Sequence, residues 1–136
     1  MTFDTKIVVV LRDDLQMWQK LNVTAFLVSG IAATVPGVMG EPYQDGSGNQ
    51  YLPMFVQPTM VFAASAEQIA AAYNQAMAEG IQLAIFTEDL FKTGNDVDNR
   101  AVVLAVPREE LRLVGFALRD KKEKCDRVFK GLSLHK

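Results

Sequence analysis

The chain has 136 residues, 49% of them apolar and 22% charged, and a formal net charge of −2. These are the values of an ordinary globular protein, and we expect residues 1–136 to form a single domain. Apolar runs fall short of the ~20 residues that span a bilayer, and the N-terminus lacks the pattern of a signal peptide, so the sequence predicts a cytoplasmic protein without membrane association. One cysteine excludes an internal disulfide and a cysteine-rich zinc site.

The charge is distributed unevenly along the chain. Residues 119–136 contain seven basic and three acidic side chains. A basic tail can meet phosphate, but a solvated helix face gives the same pattern. We favour the solvated face, because a dedicated nucleic-acid domain is usually basic overall and this chain is acidic.

The first thirty residues predict a strand, a polar loop and a helix. Residues 6–11 form an apolar, mostly β-branched run that is typical of a strand covered on both faces. The run ends in the polar residues 12–14. An apolar stripe at helical spacing follows at Leu21, Ala25, Val28 and Ala32. Pro36-Gly37 lies beyond the predicted end of this helix.

Residues 36–58 are rich in Gly and Pro, which indicates turns and loops. Within them, Asp45-Gly46-Ser47-Gly48-Asn49 predicts the tip of a hairpin. Its spacing resembles a calcium-binding loop, but the twelfth position is Val56 where such a loop needs an acid. We therefore favour a plain turn.

The next segment predicts a strand, a helix and another strand. A strand is expected at residues 59–63, and Ser65 with Gln68 forms a capping box that begins an alanine-rich helix. The helix is expected to reach Glu79 and to stop at Gly80. With a strand at residues 82–86, this order predicts a right-handed parallel crossover.

The C-terminal third is expected to begin with an antiparallel hairpin of residues 101–106 and 111–118. A helix through Pro107 is the alternative, because Pro followed by acids suits a first helical turn. A short basic helix that ends at Gly131 and a strand at residues 132–134 are expected to complete the chain.

Polar residues 87–100 lie between two predicted buried strands, and such positions often carry the site of an α/β fold. If the strands of residues 6–11 and 82–86 run parallel, their carboxyl ends share one edge of the sheet. The polar side chains collected there are Arg12, Asp13, Asp14, Glu88, Asp89, Thr93, Asp96, Asp98 and Asn99.

The clustered carboxylates allow three interpretations. One of them can have a raised pKa and carry a proton, or several can hold a hard cation. The interpretation that we favour is that most of them cap turns and face water. A phosphate-binding glycine loop is absent from the sequence, and the only histidine, His135, is next to the last residue, which argues against a Ser-His-Asp apparatus. Trp18 either lines a pocket or packs at the helix entrance, and we favour packing.

Four segments carry a resemblance to a known family: residues 6–10, 21–27, 87–94 and 130–135. Together they make the chain similar to the domain-of-unknown-function family numbered 2000, which resembles the peptidyl-tRNA hydrolase II fold. The resemblance covers nearly the whole chain. It implies an α/β fold with three α/β/α layers, a small, mixed, mostly parallel sheet of four to five strands and helices on both faces. It further implies a homodimer, and we expect no cofactor and no metal.

Two motifs of the hydrolases have counterparts here. Their Arg-x-Asp-Leu-x-Met after a strand matches residues 12–17, and their Asp-Ala-Gly-Arg-Thr loop matches residues 89–93. The resemblance therefore implies Asp89 and Thr93 as catalytic candidates. The run that supplies an essential lysine is replaced by residues 18–22, where Lys20 can substitute only if the helix entry shifts.

The departures from the hydrolase pattern bear on function. Asn22 more plausibly occupies the region of the lysine and offers a neutral hydrogen bond, and the rim of the site is acidic, whereas tRNA phosphate favours positive charge. We expect the scaffold to be retained, tRNA to be disfavoured as a partner, and a small, cationic ligand to bind between residues 12–17 and 87–99. Candidate ligand-binding residues are Arg12, Asp14, Asn22, Glu88 and Asn99. A peptidyl-tRNA hydrolase that uses Asp89, Thr93 and Lys20 is the first alternative, and a structural subunit of a complex is the second.

Overall fold

A computed structural model describes residues 2–136 of the chain. The helices and strands, in chain order, are β1 (Thr5–Arg12), α1 (Met17–Thr34), β2 (Tyr43–Gln44), β3 (Gln50–Tyr51), β4 (Thr59–Ala64), α2 (Ala66–Ala78), β5 (Ala84–Thr87), α3 (Asp96–Leu104), β6 (Leu113–Lys121), α4 (Lys122–Val128) and β7 (Ser133–Leu134). Two short 3-10 helices span Glu88–Lys92 and Arg108–Glu110. Within residues 2–136, no helix is both long and apolar enough to cross a membrane.

The fold is mixed α/β with a five-stranded, mostly antiparallel sheet in the order β5-β6-β1-β4-β7. Only the β1–β4 pair is parallel, so the expectation of a mostly parallel sheet is wrong. The reason is β6, which pairs antiparallel with both β1 and β5 and lies between them. β5 consequently runs in the same direction as β1 and β4. The segment β4-α2-β5 therefore joins two parallel strands, as predicted, but they are not neighbours, because β1 and β6 lie between them.

The strand predicted at residues 101–106 is also wrong, because most of this segment belongs to α3. Asn95 begins the helix: its Oδ1 accepts a hydrogen bond of 2.9 Å from the Asp98 N–H. The predicted hairpin of residues 101–118 is therefore absent. Pro107 instead precedes the short 3-10 helix Arg108–Glu110, and most of the second predicted strand, residues 111–118, lies in β6.

Other predicted elements are confirmed by the structure, among them β1, β4, α2 and the short β7. The capping box of α2 is present in full: the Gln68 N–H donates to Ser65 Oγ at 3.1 Å, and the Ser65 N–H donates to Gln68 Oε1 at 2.9 Å. These elements follow from local patterns that a single stretch of sequence contains.

Alternate side chains of β1 belong to two separate buried clusters. Val8 and Val10 pack with residues of α2 and α4, whereas Ile7, Val9 and Leu11 pack with residues of α1. Because successive side chains of a strand point to opposite faces, a wholly apolar strand needs cover on both sides. β1 is therefore the shared centre of both clusters.

The buried face of α1 differs from the stripe that the sequence predicts. Val23, Leu27 and Ile31 are buried, whereas Leu21 is 66% exposed. α1 carries apolar residues around most of its circumference, so helical spacing alone does not choose the buried face.

Asp45 organises the turn between β2 and β3. Its carboxylate accepts hydrogen bonds from the Ser47 N–H at 2.9 Å, the Asn49 N–H at 3.0 Å and the Tyr51 hydroxyl at 2.8 Å. The oxygens of Asp45 are thus used within the turn, as the preferred interpretation of this segment expects.

The hydrogen bond from Tyr51, followed by those from Asn49 and Ser47, lowers the pKa of Asp45 to about 2. The carboxylate form is therefore the favoured one, and its contribution to the turn is complete above the ordinary pKa of Asp, about 4. This contribution is expected to be lost as the pH falls through about 2. An NMR titration of the Asp45 carboxyl carbon should give this midpoint, and Tyr51→Phe should raise it. A midpoint near 4 in the unsubstituted protein would contradict the hydrogen-bonded turn.

Candidate functional site

Arg12, at the end of β1, joins the loops that follow β1 and β5. Its Nη1 donates to Glu88 Oε1 at 2.7 Å, and its Nε donates to Asp14 Oδ1 at 2.6 Å. Burial acts to lower the pKa of Arg12, but the bonds to Asp14 and Glu88 outweigh it and leave this pKa above its ordinary value. β1 and β5 run in the same direction and end at one edge of the sheet, which is why the two loops meet.

A polar cavity of about 570 Å³ lies between α1 and the segment that follows β5. Asn22 reaches it from α1, and Thr93 and Asn99 reach it from the segment between β5 and the middle of α3. The Thr93 hydroxyl lies 3.0 Å from the Leu90 carbonyl oxygen and also contacts Asn99 Oδ1. Since a hydroxyl has one hydrogen to donate, the two acceptors share it, and both Thr93 and Asn99 are held in place.

Aromatic rings from α1, from β5 and from the segment after β5 form the apolar wall of this cavity. Trp18 meets Phe91 edge to face with ring centroids 6.2 Å apart, and Phe91 lies 5.1 Å from Phe86. Phe86 in turn meets Phe26 of α1 edge to face at 6.0 Å. Trp18 is 62% exposed, so it both packs on Phe91 and leaves a face open at the mouth of the cavity.

The polar cavity continues into a second, mainly apolar space of about 710 Å³ between α1 and α3. The two spaces share Phe26, Ser29, Phe86, Leu90 and Asn99. α3 has no buried residue, and Leu104 at its end is 87% exposed. We refer to the combined space as the α1–α3 groove; it has a polar end at Asn22 and an apolar end at Leu104.

Six of the eight residues that the sequence singles out fall into two groups. Asn22, Thr93 and Asn99 line the polar end of the α1–α3 groove. Arg12, Asp14 and Glu88 form the ion-pair cluster at the sheet edge. Lys20 and Asp89 belong to neither group. The Nζ of Lys20 lies 3.1 Å from Nε2 of His135, which follows β7, and Asp89 lies in the 3-10 helix outside the cavity lining.

The carboxylates of this region do not gather around a common point. Across residues 2–136, no three His, Cys, Asp or Glu side chains are placed to hold a metal ion together. Asp96 is paired with Arg100 one helical turn away, and Glu88 is paired with Arg12. Asn95 and Asp98 bond to each other at the start of α3. The Asn95–Asp98 contacts cap α3, as short polar side chains usually do, whereas Asp96 and Glu88 are used in ion pairs.

Sequence reasoning missed the aromatic wall and a further cavity that is separate from the α1–α3 groove. The signal for the wall was present, because Leu90-Phe91 puts two bulky apolar residues into an otherwise polar loop. This separate cavity, of about 510 Å³, lies beside Arg12 and Glu88 and is also lined by Tyr73, Arg108 and Arg112. Its residues come from four separate parts of the chain, so no local pattern indicates it.

Comparison with known proteins places the chain among proteins whose role is not assigned. A family model described as "Protein of unknown function (DUF2000)" matches residues 5–136. A solved structure of a protein of unknown function from Agrobacterium tumefaciens strain C58 is similar over 99% of this chain and 100% of that chain, with 44% sequence identity and a TM-score of 0.96. None of the curated proteins matches.

Proposed function

We propose that this chain, which belongs to the DUF2000 family of proteins of unknown function, binds a small molecule with an apolar body and an amine-bearing head in the α1–α3 groove. The observation that carries the proposal is the convergence of Asn22, Thr93 and Asn99 on one cavity beside aromatic rings. Ligand sites are typically concave, mostly apolar and equipped with a few placed polar groups, and volumes of about 300–1,000 Å³ are usual. Both parts of the groove fall in this range.

The polar end of the groove favours a positively charged head. Its lining supplies acceptor oxygens from Asn22, Thr93 and Asn99 and one acidic side chain, Asp96, whereas Arg100 lines the adjoining apolar part of the groove. The exposed faces of Trp18 and its aromatic neighbours attract cations through their π electrons. The pairing of Asp96 with Arg100 is exposed and therefore weak enough for a ligand amine to compete.

A thermal-shift assay with matched probes tests this proposal. We expect phenethylamine to raise the Tm more than 2-phenylethanol, which has the same body and a neutral head. Polyamines, free amino acids and divalent metal ions complete the screen. Asn22→Ala should weaken phenethylamine binding about tenfold, because it removes a hydrogen bond to a charged group. Asn74→Ala, the same change on an exposed position of α2, is the matched control.

Two outcomes would overturn the proposal. One is a screen in which no amine raises the Tm of the unsubstituted protein. The other is an Asn22→Ala variant that binds phenethylamine as tightly as the Asn74→Ala control does. Preference for 2-phenylethanol over phenethylamine would contradict the amine-bearing head while leaving a binding groove.

The proposal does not extend to ester hydrolysis. The resemblance to peptidyl-tRNA hydrolases implies Asp89 and Thr93 as catalytic candidates, and Lys20 is the substitute for the family's lysine if the helix entry shifts. A catalytic group must come within hydrogen-bond reach of its substrate. Only Thr93 lines the groove, and Lys20 is held by His135. A ligand-binding role needs no more than the residues that do converge.

We also infer the finer features that the resemblance implies. A three-layer arrangement of the peptidyl-tRNA hydrolase II type is supported by α1 on one buried cluster and α2 with α4 on the other. A homodimer is supported by large exposed apolar side chains on α1 and around the β2–β3 hairpin, namely Met17, Leu21, Tyr43, Tyr51 and Leu52. A cytoplasmic location stays a prediction from the sequence.

A further inference from the structure

We propose a second binding site, independent of the α1–α3 groove, in the cavity of about 510 Å³ beside Arg12, Arg108 and Arg112. Its ligand is a small organic anion that carries a carboxylate or phosphate group on an apolar body. We refer to this space as the arginine cavity.

The three guanidinium groups come from separate elements and face one space. Arg12 ends β1, Arg108 begins a 3-10 helix and Arg112 precedes β6. Planar guanidinium groups bind carboxylate and phosphate oxygens with paired hydrogen bonds, which makes arginine the usual residue for such groups. Exposed ion pairs contribute little to the stability of a fold, so stability alone does not account for three arginines at one cavity.

The arginines are arranged as a fixed centre and two adaptable arms. Arg12 is only 16% exposed and is held by Asp14 and Glu88. Arg112 is exposed, and its Nε lies 3.7 Å from Glu88 Oε2, a loose contact. The guanidinium carbon of Arg108 lies 5.5 Å from the centre of the Tyr73 ring, and its Nη2 donates to Asn74 Oδ1 at 3.5 Å. These contacts orient the side chain and leave most of its five N–H donors for a ligand.

The unused hydrogen-bond donors in the lining favour an anion. Three arginines and the carboxylates of Glu88 and Glu109 line the cavity, and Arg12 is also paired with Asp14 outside the lining. Glu88 is already engaged by Arg12 and approached by Arg112. An anion that enters between Arg108 and Arg112 therefore meets N–H donors of these two arginines that Glu88 does not use.

The remaining lining of the arginine cavity is mainly apolar, and it is the reason why the proposed ligand has an apolar body. Ala66, Ala70 and Tyr73 of α2 and Leu113 of β6 contribute apolar surface. Tyr73 and Leu113 belong to the buried cluster that packs against α2 and α4, whereas Phe86 of the α1–α3 groove belongs to the other cluster. The two spaces share no lining residue, so a ligand in one leaves the other open.

Isothermal titration calorimetry with phenyl phosphate, benzoate, inorganic phosphate and benzylamine tests the arginine cavity. We expect phenyl phosphate and benzoate to bind at low salt. Any heat from benzylamine, an amine of the kind proposed for the α1–α3 groove, should be the same in Arg112→Gln as in the unsubstituted protein. Arg112→Gln and Arg108→Gln should each weaken phenyl phosphate binding about tenfold, because each removes a charge-assisted bond from an exposed side chain whose loss the fold tolerates. Arg127→Gln, also an exposed arginine but one that lies on α4 outside both cavities, is the matched control and should bind as the unsubstituted protein does.

Three results would overturn the proposal. The first is the absence of binding by either organic anion, and the second is equal affinity for Arg112→Gln, Arg108→Gln and the Arg127→Gln control. The third is inorganic phosphate binding as tightly as phenyl phosphate, which would show that the apolar body of the ligand contributes nothing to binding. Each of these results leaves the test of the α1–α3 groove unaffected, because that test uses amines and a variant in α1.

Discussion

Replacement of Leu118 by Ala is expected to lower the free energy of unfolding by about 3–4 kcal/mol. Leu118 lies in β6 opposite Val8 of β1, and its side chain is fully buried. Its truncation removes apolar contacts and leaves a cavity in the cluster that contains Phe116, in the middle of the sheet, where relaxation is limited. Urea denaturation followed by circular dichroism measures the change.

Leu104→Ala is the matched control for this substitution. The chemical change is identical, but Leu104 is 87% exposed at the end of α3, so the free energy of unfolding should change by less than about 0.5 kcal/mol. Similar losses for the two variants would mean that the burial of β6, and with it the sheet order, is wrong.

The second large effect is expected from Gly115→Ala, which should lower the free energy of unfolding by about 2–3 kcal/mol. A Cβ at this position would lie 2.8 Å from the backbone carbonyl oxygen of Val10 and 3.2 Å from a methyl carbon of Leu11. The carbonyl cannot retreat, because Leu11 pairs with Gly115 across the β1–β6 ladder. β1 or β6 must shift instead, and both are at the centre of the sheet.

Gly30→Ala should have the opposite sign. A Cβ on Gly30 would have its nearest neighbour at 3.9 Å, the Cβ of Ala84, which is an ordinary contact. Because Gly30 lies inside α1, Ala is expected to stabilise the protein by about 0.5–1 kcal/mol. The same chemical unfolding experiment measures both variants, and a stabilised Gly115→Ala protein would show that β1 and β6 are not in this register.

Local features of the fold could be predicted because their signals lie within short stretches of sequence. β1 is an unbroken apolar run, and Ser65 with Gln68 begins α2 as the capping box requires. The direction of β6 could not be predicted in this way. It depends on β6 pairing with β1 and β5, which are distant from it in the chain. The β propensity of the β6 sequence does not indicate which strands it pairs with.

α3 shows how a cap can outweigh strand propensity. Val102, Val103 and Leu104 are β-branched or bulky and favour a strand on their own. Asn95 supplies the first hydrogen bond of a helix, Asp96 and Asp98 put negative charge in its first turn, and the segment lacks a partner strand. The interpretation of residues 101–106 as a strand failed because it ignored the residues that precede them.

The candidate site was predictable in part. Asn22 lies in α1, Thr93 follows a 3-10 helix and Asn99 lies in α3, and all three line one cavity. The sequence indicates their general region, because α1 follows β1 and the other two follow β5. The position of Lys20 was not predictable, because it depends on the short strand β7. The N–H of His135 donates to the Val61 carbonyl oxygen at 2.8 Å, and this bond puts the imidazole beside α1. A contact between residues 115 positions apart carries no local signal.

The lack of buried residues in α3 has a consequence for how this family can diverge. A wall that contributes little to the stability of the core can change its side chains at little cost in folding, since substitutions away from buried contacts usually have small effects. The opposite wall, α1, is constrained by Val23, Leu27 and Ile31. In the proposed binding role, ligand preference can therefore evolve on one side of the groove while the other side keeps the protein folded.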